Sequence, residues 1–418
     1  MLKFQYKSKV HLFICASLVS VPIFTFSLRL GGTLVLLTSL LVWLFWTRKQ
    51  TYEMNQYQRW FLICSATLFL TSLLLLALAG FPDQGGKDVA KYARLILAYP
   101  FMVLVVIASP KQYWFWVGIT IASLLSGVLA LIDFMVFNQV RADIFGIFNP
   151  IFFANHSLLF SYISFLGFYW FRQNRLPKMS WLCLIGSMSS IVGMLLAGSR
   201  GALVALPVLI VLIVIYLFWE KKFWLVGSFA FVVVISVAIV WQSQSLTLKN
   251  RLDLIPKEIN SYINQGADLT SVGIRIYIWE TAWHAFLEKP IIGHGPGNFK
   301  GLTYHSLLRD NYPVEVNIYS HAHNEFLHAL ATKGLVGLIT LLGIFFVPLL
   351  AAVRLFREQE ITYSFALAGT TLSFVCFSLT DMVLMKGSGA TLYVFLIATF
   401  MSLGFCSISN RTLPTKEP

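Results

Sequence analysis

Hydrophobic positions along this chain run together instead of alternating. Twelve stretches are almost unbroken in apolar residues, at roughly 10–28, 30–46, 60–80, 92–109, 114–136, 151–171, 179–198, 202–219, 223–241, 327–350, 363–382 and 388–408. Each is near the ~20 residues that take an α-helix across ~30 Å of hydrocarbon. A membrane barrel would show short segments of alternating polarity, and runs such as 203–219 and 223–241 exclude it. The pattern predicts an all-α integral membrane protein of about 12 transmembrane helices. Polar positions collect in one long segment, 242–326, between the ninth and tenth runs. The chain then divides into helices one to nine (1–241), a long loop (242–326), and helices ten to twelve with a short tail (327–418). Loops of that length are functional or carry structure of their own. Here Ile276, Trp279, Trp283 and Leu287 recur at helical spacing, predicting a helix over 275–287, and Gly293-His294-Gly295-Pro296-Gly297 predicts a turn.

Charge orients the bundle. Lys3, Lys7, Lys9, Arg172, Arg175, Lys178, Lys221, Lys222, Arg354 and Arg357 all fall in segments on the side of the termini. The short loops opposite hold only Arg29, Lys87, Lys91, Arg94, Arg141, Arg200 and Lys386. The positive-inside rule places both termini in the cytoplasm and the long loop in the periplasm. The N-terminus, basic and then apolar from Val10, resembles a signal peptide, but no A-x-A-like site follows. It reads as a retained first span.

Composition agrees with the pattern: 57% of the 418 residues are hydrophobic and 12% charged, against about 25% charged in a soluble domain. The net charge of +13 follows from basic cytoplasmic loops and contact with anionic membrane lipids. No basic soluble domain exists to bind nucleic acid. The five cysteines (Cys15, Cys64, Cys183, Cys376, Cys406) lie inside apolar runs without C-x-x-C spacing. That pattern fits packing, with no disulfide framework and no thiolate metal site.

Candidate chemistry concentrates in the long loop. Six of the eight histidines (His284, His294, His305, His321, His323, His328) fall there or at the start of the tenth run, and imidazole is the side chain suited to proton transfer near neutrality. In Ser320–Gly337, SHAHNEFLHALATKGLVG, a continuous helix would put His321, Glu325 and His328 on one face and point His323 elsewhere. The spacing is not H-E-x-x-H and no cysteine or carboxylate cluster supports it, so no metal site is expected. Gly334 and Gly337 fit close helix packing. Arg200, in Gly198-Ser199-Arg200-Gly201 between two apolar runs, is either a snorkelling residue or a functional group in a wet cavity. Arg275 opens the aromatic-rich helix and is either a surface ion-pair residue, with Glu280 or Asp268, or a ligand group. Guanidinium forks suit phosphate oxygens. Two arginines and a histidine on one side of the membrane therefore point to a phosphorylated, lipid-linked ligand.

At these residues the chain resembles the O-antigen ligase family and the wider O-antigen ligase/polymerase superfamily. The carriers are His323-Asn324, nine residues and then Gly334-x-x-Gly337, together with Ser199-Arg200-Gly201, Arg275, and the stretch from Trp279 through Pro290 to Gly293–Phe299. Helix number, loop position and chain length extend the resemblance over essentially the whole chain. It implies a C-type, metal-independent and cofactor-free glycosyltransferase of the bacterial inner membrane. The implied donor is undecaprenyl-diphosphate-linked O-antigen and the implied acceptor is the lipid A–core oligosaccharide, joined on the periplasmic face with inversion. By the resemblance His323 is the base and Arg200 and Arg275 bind the diphosphate. Asn324 then orients His323 or binds sugar, and Asp381 is a further substrate-binding candidate, with an ion pair to Lys386 as its alternative. Glu325 is a second candidate base or substrate ligand. An O-antigen polymerase and a protein O-oligosaccharyltransferase share this chemistry. A transporter of an anionic solute is the rival from another class, and it leaves the histidine-rich loop unexplained.

Overall fold

A computed structural model describes residues 2–25, 31–47, 53–139, 141–222, 253–261, 270–309 and 319–412. The expected ninth span, 223–241, lies outside the described residues. Among the described residues the secondary structure is helical, with no strand. The first half runs α1 (Leu2–Phe24), α2 (Gly31–Val42, continued by a π-helical turn over Trp43–Thr47), α3 (Gln56–Leu78), α4 (Gly85–Ile96), α5 (Ala98–Ala108) and α6 (Tyr113–Met135). There follow α7 (Pro150–Gln173), α8 (Pro177–Ala197), the short α9 (Arg200–Leu203) and α10 (Leu206–Trp219). The loop region contributes α11 (253–261), α12 (Ser271–Glu288) and α13 (Phe299–Arg309), and the chain ends with α14 (Glu325–Arg357), α15 (Ile361–Thr380) and α16 (Gly387–Thr412).

Nine of the described helical segments are long and apolar enough to span a membrane, with shorter apolar helices at Lys9–Phe24 and Thr33–Phe45. This is a multi-pass membrane protein. Eleven of the twelve apolar runs thus coincide with helices among the described residues. The run at 92–109 is the second half of a longer segment, because α4 and α5 follow each other through Leu97.

Packing sorts the helices into inner and outer ones. Along α7 nearly every position is buried, whereas α3, α8 and α10 each expose a stripe, including Leu70, Leu74, Ile185, Met188, Val211 and Phe218. Lipid is as apolar as leucine, so burial of leucine cannot drive such helices together; close backbone approach and polar contacts can. The inner helices carry those devices. Ser126 and Ser190 hydroxyls lie 2.6 Å apart between α6 and α8, Ser164 donates to the Cys183 carbonyl at 2.8 Å, and Tyr162 donates to the Phe365 carbonyl at 2.8 Å. A β-carbon at Gly193 would stand 3.0 Å from the Ser126 carbonyl oxygen, so the α6–α8 crossing depends on its absence.

Helix α14 is broken at Gly334, whose backbone (φ 61°, ψ −159°) is not helical. The preceding loop fills the break. His294 N–H bonds the Ala331 carbonyl (3.0 Å), Gly295 N–H bonds Thr332 (2.8 Å), and Leu335 and Val336 N–H groups bond Pro290 (2.8 Å) and Ile291 (3.3 Å). Irregular backbone at membrane depth survives only where protein satisfies it, and here the Gly/Pro-rich turn does so. Gly334 is therefore not a helix–helix packing glycine: any β-carbon there would collide with the Ile291 carbonyl. Gly337 makes room for the Lys333 side chain of its own helix, which runs to Tyr92 of α4 and donates to its hydroxyl at 2.8 Å.

Candidate active site

The site is assembled where α12 and α15 meet the start of α14, with the α6–α7 loop and the α8–α9 turn alongside. Asn324 is the N-cap of α14, its Oδ1 accepting from the Phe326 and Leu327 N–H groups at 3.0 Å each. This cap ends the loop one residue after His323, whose backbone is left-handed (φ 48°). A non-glycine residue in that region is uncommon and held there by its surroundings. The helix expected to run through His321 therefore does not exist: α14 starts at Glu325. His321 and His323 consequently share a cluster, ring centroids 4.3 Å apart, where the sequence pattern set them on different faces.

Asp381, the C-cap of α15, completes that cluster. Its Oδ1 lies 3.2 Å from His323 Nδ1 and accepts the Met382 N–H at 2.8 Å. The partner of Asp381 is thus His323, not Lys386. Burial alone would raise the Asp381 carboxyl, but the hydrogen bond and charge of His323, then Met382 N–H and His321, hold it below the ordinary carboxylate value. An anionic Asp381 fixes the ring proton on Nδ1 and leaves Nε2 of His323 to accept another. His321 is driven the other way, down to about 4, first by burial and then by His323, Lys386 and Lys91, with Asp381 opposing.

His321, His323 and Asp381 each offer a ligand atom within 4.8 Å of the others. Two imidazoles and a carboxylate suit a divalent transition-metal ion by donor type. Such an ion would take one ring nitrogen each of His321 and His323 and would compete with proton transfer there. Glu325 is not part of this group. It is 1% exposed, and its Oε2 accepts from Ser378 Oγ and Leu384 N–H, both at 3.1 Å, tying α14 to α15 and to the turn that follows.

Thr380, adjacent to Asp381 in the chain, lines a cavity of about 80 Å³ together with Arg141, Ile151, Ser199, Arg200, Gly201, Ser271 and Arg275. Three guanidinium side chains thus converge one residue away from the carboxylate that holds His323. Each is placed by backbone devices. Gly198 (φ 59°) stops α8 in the left-handed conformation and Arg200 opens α9; Gly201 fits against the Thr380 hydroxyl. Thr270 caps α12, accepting from Gly273 N–H at 3.1 Å, which sets Arg275 in the second turn. Arg141 was absent from the sequence candidates. Its loop is held by the buried Asp133 carboxylate, which accepts the N–H groups of Asp143 (2.9 Å), Ile144 (2.6 Å) and Phe145 (2.9 Å). Arg141 Nε donates to the Ala197 carbonyl at the end of α8 (3.0 Å). A carboxylate inside the apolar run at Asp133 was the signal that could have found this loop.

Arg200 has a carboxylate partner in Glu258 of α11, at 3.3 Å, and both side chains are mostly buried. Its Nε is buried without a hydrogen-bond partner. The cavity thus holds donor capacity that Glu258 does not use.

Comparison with known proteins fits this geometry. Residues 185–342, from the middle of α8 to the first half of α14, match the family model described as O-antigen ligase. That stretch of the chain is similar to the O-antigen ligase family. The matched segment includes Arg200, Arg275, His323 and both motif glycines, and the family implies glycosyltransferase-like activity on polysaccharide and lipid-linked substrates. A Haemophilus influenzae protein described as uncharacterized is 25% identical over 277 residues, covering 65% of this chain and 67% of that one. Asp381, Thr380 and Arg141 lie outside the segment that matches the O-antigen ligase model, so only the fold brings them to it.

The six loop histidines separate into three settings. His321 and His323 join Asp381. His328 is buried on α14 with its ring 5.1 Å from Phe299. His284, His294 and His305 line a different cavity, of about 390 Å³, between α12 and α13.

Proposed function

We propose that this protein is an O-antigen ligase that moves polysaccharide from undecaprenyl diphosphate to the lipid A–core oligosaccharide. The reaction is placed on the periplasmic face of the bacterial inner membrane, with both termini in the cytoplasm, as the distribution of lysine and arginine indicates. One observation carries the reading: an aspartate-held histidine stands next to a cavity lined by Arg141, Arg200 and Arg275. That arrangement suits displacement of a diphosphate by a hydroxyl. His323 Nε2 takes the proton as the acceptor oxygen attacks the anomeric carbon. The bond from that carbon to the diphosphate oxygen breaks, and its electron pair leaves with the diphosphate. Attack opposite the leaving group inverts the anomeric carbon. A positioned base contributes roughly 10²–10⁴-fold. Arginines aimed at the departing oxygens act where negative charge grows, so they stabilise the transition state more than the bound donor. Glu258 must release Arg200 for the diphosphate to bind both nitrogens of its fork.

Deletion of the gene followed by lipopolysaccharide electrophoresis tests the assignment. Loss of all O-antigen from the core, with full-length lipid-linked polysaccharide accumulating, is expected. Single repeats persisting on the core would make the protein a polymerase instead. Chelation supplies a second arm: transfer by the purified protein should be unchanged by EDTA. Loss of transfer that zinc or manganese restores would overturn His323 as the base.

A further inference from the structure

Asp381 orients His323, yet little in its own stretch of chain fixes Asp381. It caps α15 in extended backbone (φ −160°, ψ 174°), and the chain turns irregularly through Met382–Lys386 before α16 begins at Gly387. Its bond to the Met382 N–H lies within that turn and moves with it. The hold from another element comes from Glu325. Its Oε2 accepts the Ser378 hydroxyl and the Leu384 N–H, both at 3.1 Å, so the two bonds bracket Asp381 from before and after. Glu325 is the first residue of α14, set by the Asn324 cap that directly follows His323. One short stretch of chain thus carries both the histidine and the clamp that fastens its partner. Thr380, inside the same bracket, lines the arginine cavity, so the clamp also holds one wall of that cavity.

Glu325 does not reach a substrate. It is buried and lines neither of the cavities described above. Its other oxygen, Oε1, has no hydrogen-bond partner among the described residues. Both bonds fall on Oε2, so the arrangement requires an accepting oxygen at that point and no exchangeable proton. We propose that Glu325 is a positioning residue for glycosyl transfer: it locks the turn after α15 so that Asp381 meets His323 Nδ1. This rests on the glycosyl-transfer reading above and gives Glu325 a role distinct from that of a second base or a substrate ligand. The tolerance is small. The bond between Asp381 and His323 is already 3.2 Å long, and such bonds weaken steeply as their geometry slips. A displacement of about 1 Å among reacting groups costs on the order of 10²-fold in rate.

The test uses the full-length protein in detergent and three variants, Glu325→Gln, Glu325→Ala and Ser378→Ala, each made alone and together with Asp381→Asn. Transfer kinetics are measured with each substrate titrated. Amide hydrogen exchange across the segment 378–387, followed by mass spectrometry, reports on the clamp without any need for transfer. Glu325→Ala should speed exchange in that segment and lower kcat by roughly 10²-fold, with KM for donor and acceptor unchanged. Ser378→Ala leaves the Leu384 bond in place and should do both to a smaller degree. Glu325→Gln keeps an accepting oxygen, so it should retain slow exchange and most of the transfer. In the Asp381→Asn background neither Glu325→Ala nor Ser378→Ala should lower kcat further, because the pair they serve is already broken. A further loss of similar size in that background would overturn the proposal, and so would unchanged exchange in Glu325→Ala. An inactive Glu325→Gln with wild-type exchange would make the carboxyl group a proton carrier instead. Should Glu325→Ala fail to fold, Ser378→Ala decides, and wild-type exchange and kcat there would equally sink the clamp. Absence of transfer by wild type would reject the transferase reading, while the exchange data still decide whether Glu325 holds the turn.

Discussion

Helix α14 carries ionisable groups in two settings, and the contrast separates chemistry from architecture. At its mouth His323 has one ring nitrogen fixed by Asp381 and sits beside a cavity of arginines. Farther along, past the first turns, Lys333 is buried and turned onto Tyr92, its Nζ 2.8 Å from the hydroxyl and 4.1 Å from the ring centroid. Glu325, equally buried, is bonded to Ser378 and to the Leu384 N–H. Depth alone would flag Lys333 and Glu325 as functional residues. Their partners differ in kind: Lys333 and Glu325 close contacts between helices, with Glu325 Oε1 left without a partner, whereas the His323 ring is held by Asp381 through one nitrogen. An ionisable group in a membrane protein marks a site when an open atom faces a cavity, not merely when it is deep.

The largest effect should come from the mouth. His323→Ala is expected to lower the single-turnover transfer rate by roughly 10²–10⁴-fold, and Arg275→Ala should abolish detectable transfer, both without loss of protein from the membrane fraction. Lys333→Met, by contrast, should retain transfer per folded molecule. Purified donor and acceptor in detergent give the readout. Wild-type rates in His323→Ala, or a Lys333→Met protein as inactive as His323→Ala, would erase the contrast.

Much of this architecture was legible in the sequence because its signals are local. Uninterrupted apolar runs announced eleven helices of the described chain, and the Trp279, Trp283 and Leu287 spacing announced α12. His323, Arg200 and Arg275 stood out through residue type, position and the nine-residue spacing to Gly334. What failed was also physical. Periodicity cannot show that Asn324 caps a helix at Glu325, so His321 was placed on the wrong side of a helix start. Asp381 was among the sequence candidates, but its pairing with His323, 58 residues away, is made only through the α14–α15 hairpin and could not be read locally. Arg141 was hidden because its loop is set by Asp133, a contact between backbone N–H groups and a side chain that leaves no periodic trace.

A smaller effect should appear at the break in α14. Gly334→Ala asks an L-residue to adopt φ 61° and ψ −159° against the Ile291 carbonyl. Strain of that kind is worth about 1–3 kcal/mol, and shifting the Pro290–Gly295 segment to relieve it would break the bonds that fill the helix gap. The variant should melt several degrees lower in detergent and lose activity in proportion to folded protein. Gly337→Ala should also destabilise, since its β-carbon would overlap the Lys333 β-carbon, which the helix backbone holds in place. Equal melting temperatures for Gly334→Ala and wild type would mean that the break is not fixed by this glycine.

The smallest effect is a pH slope, and it tests whether the histidine cluster is as crowded as the geometry makes it. His321 binds its proton in the folded protein only near pH 4, against 6.5 for an ordinary histidine, because it is buried and beside His323, Lys386 and Lys91. Above pH 6.5 it is neutral in both folded and unfolded chains and contributes no slope. As pH falls below 6.5 the unfolded chain takes up the proton first, so stability drops until about pH 4, where the folded form is protonated too. Thermal unfolding of wild type in detergent should therefore show a falling midpoint across that window, and His321→Gln should flatten it in part. Asp381 acts lower. Its carboxyl is held below the ordinary value, so its stabilising contribution is complete above that value and is lost as pH falls through the depressed one. An unchanged slope in His321→Gln would show that the imidazole is freely solvated, and with it that the Lys386 and Lys91 charges do not reach the mouth of α14.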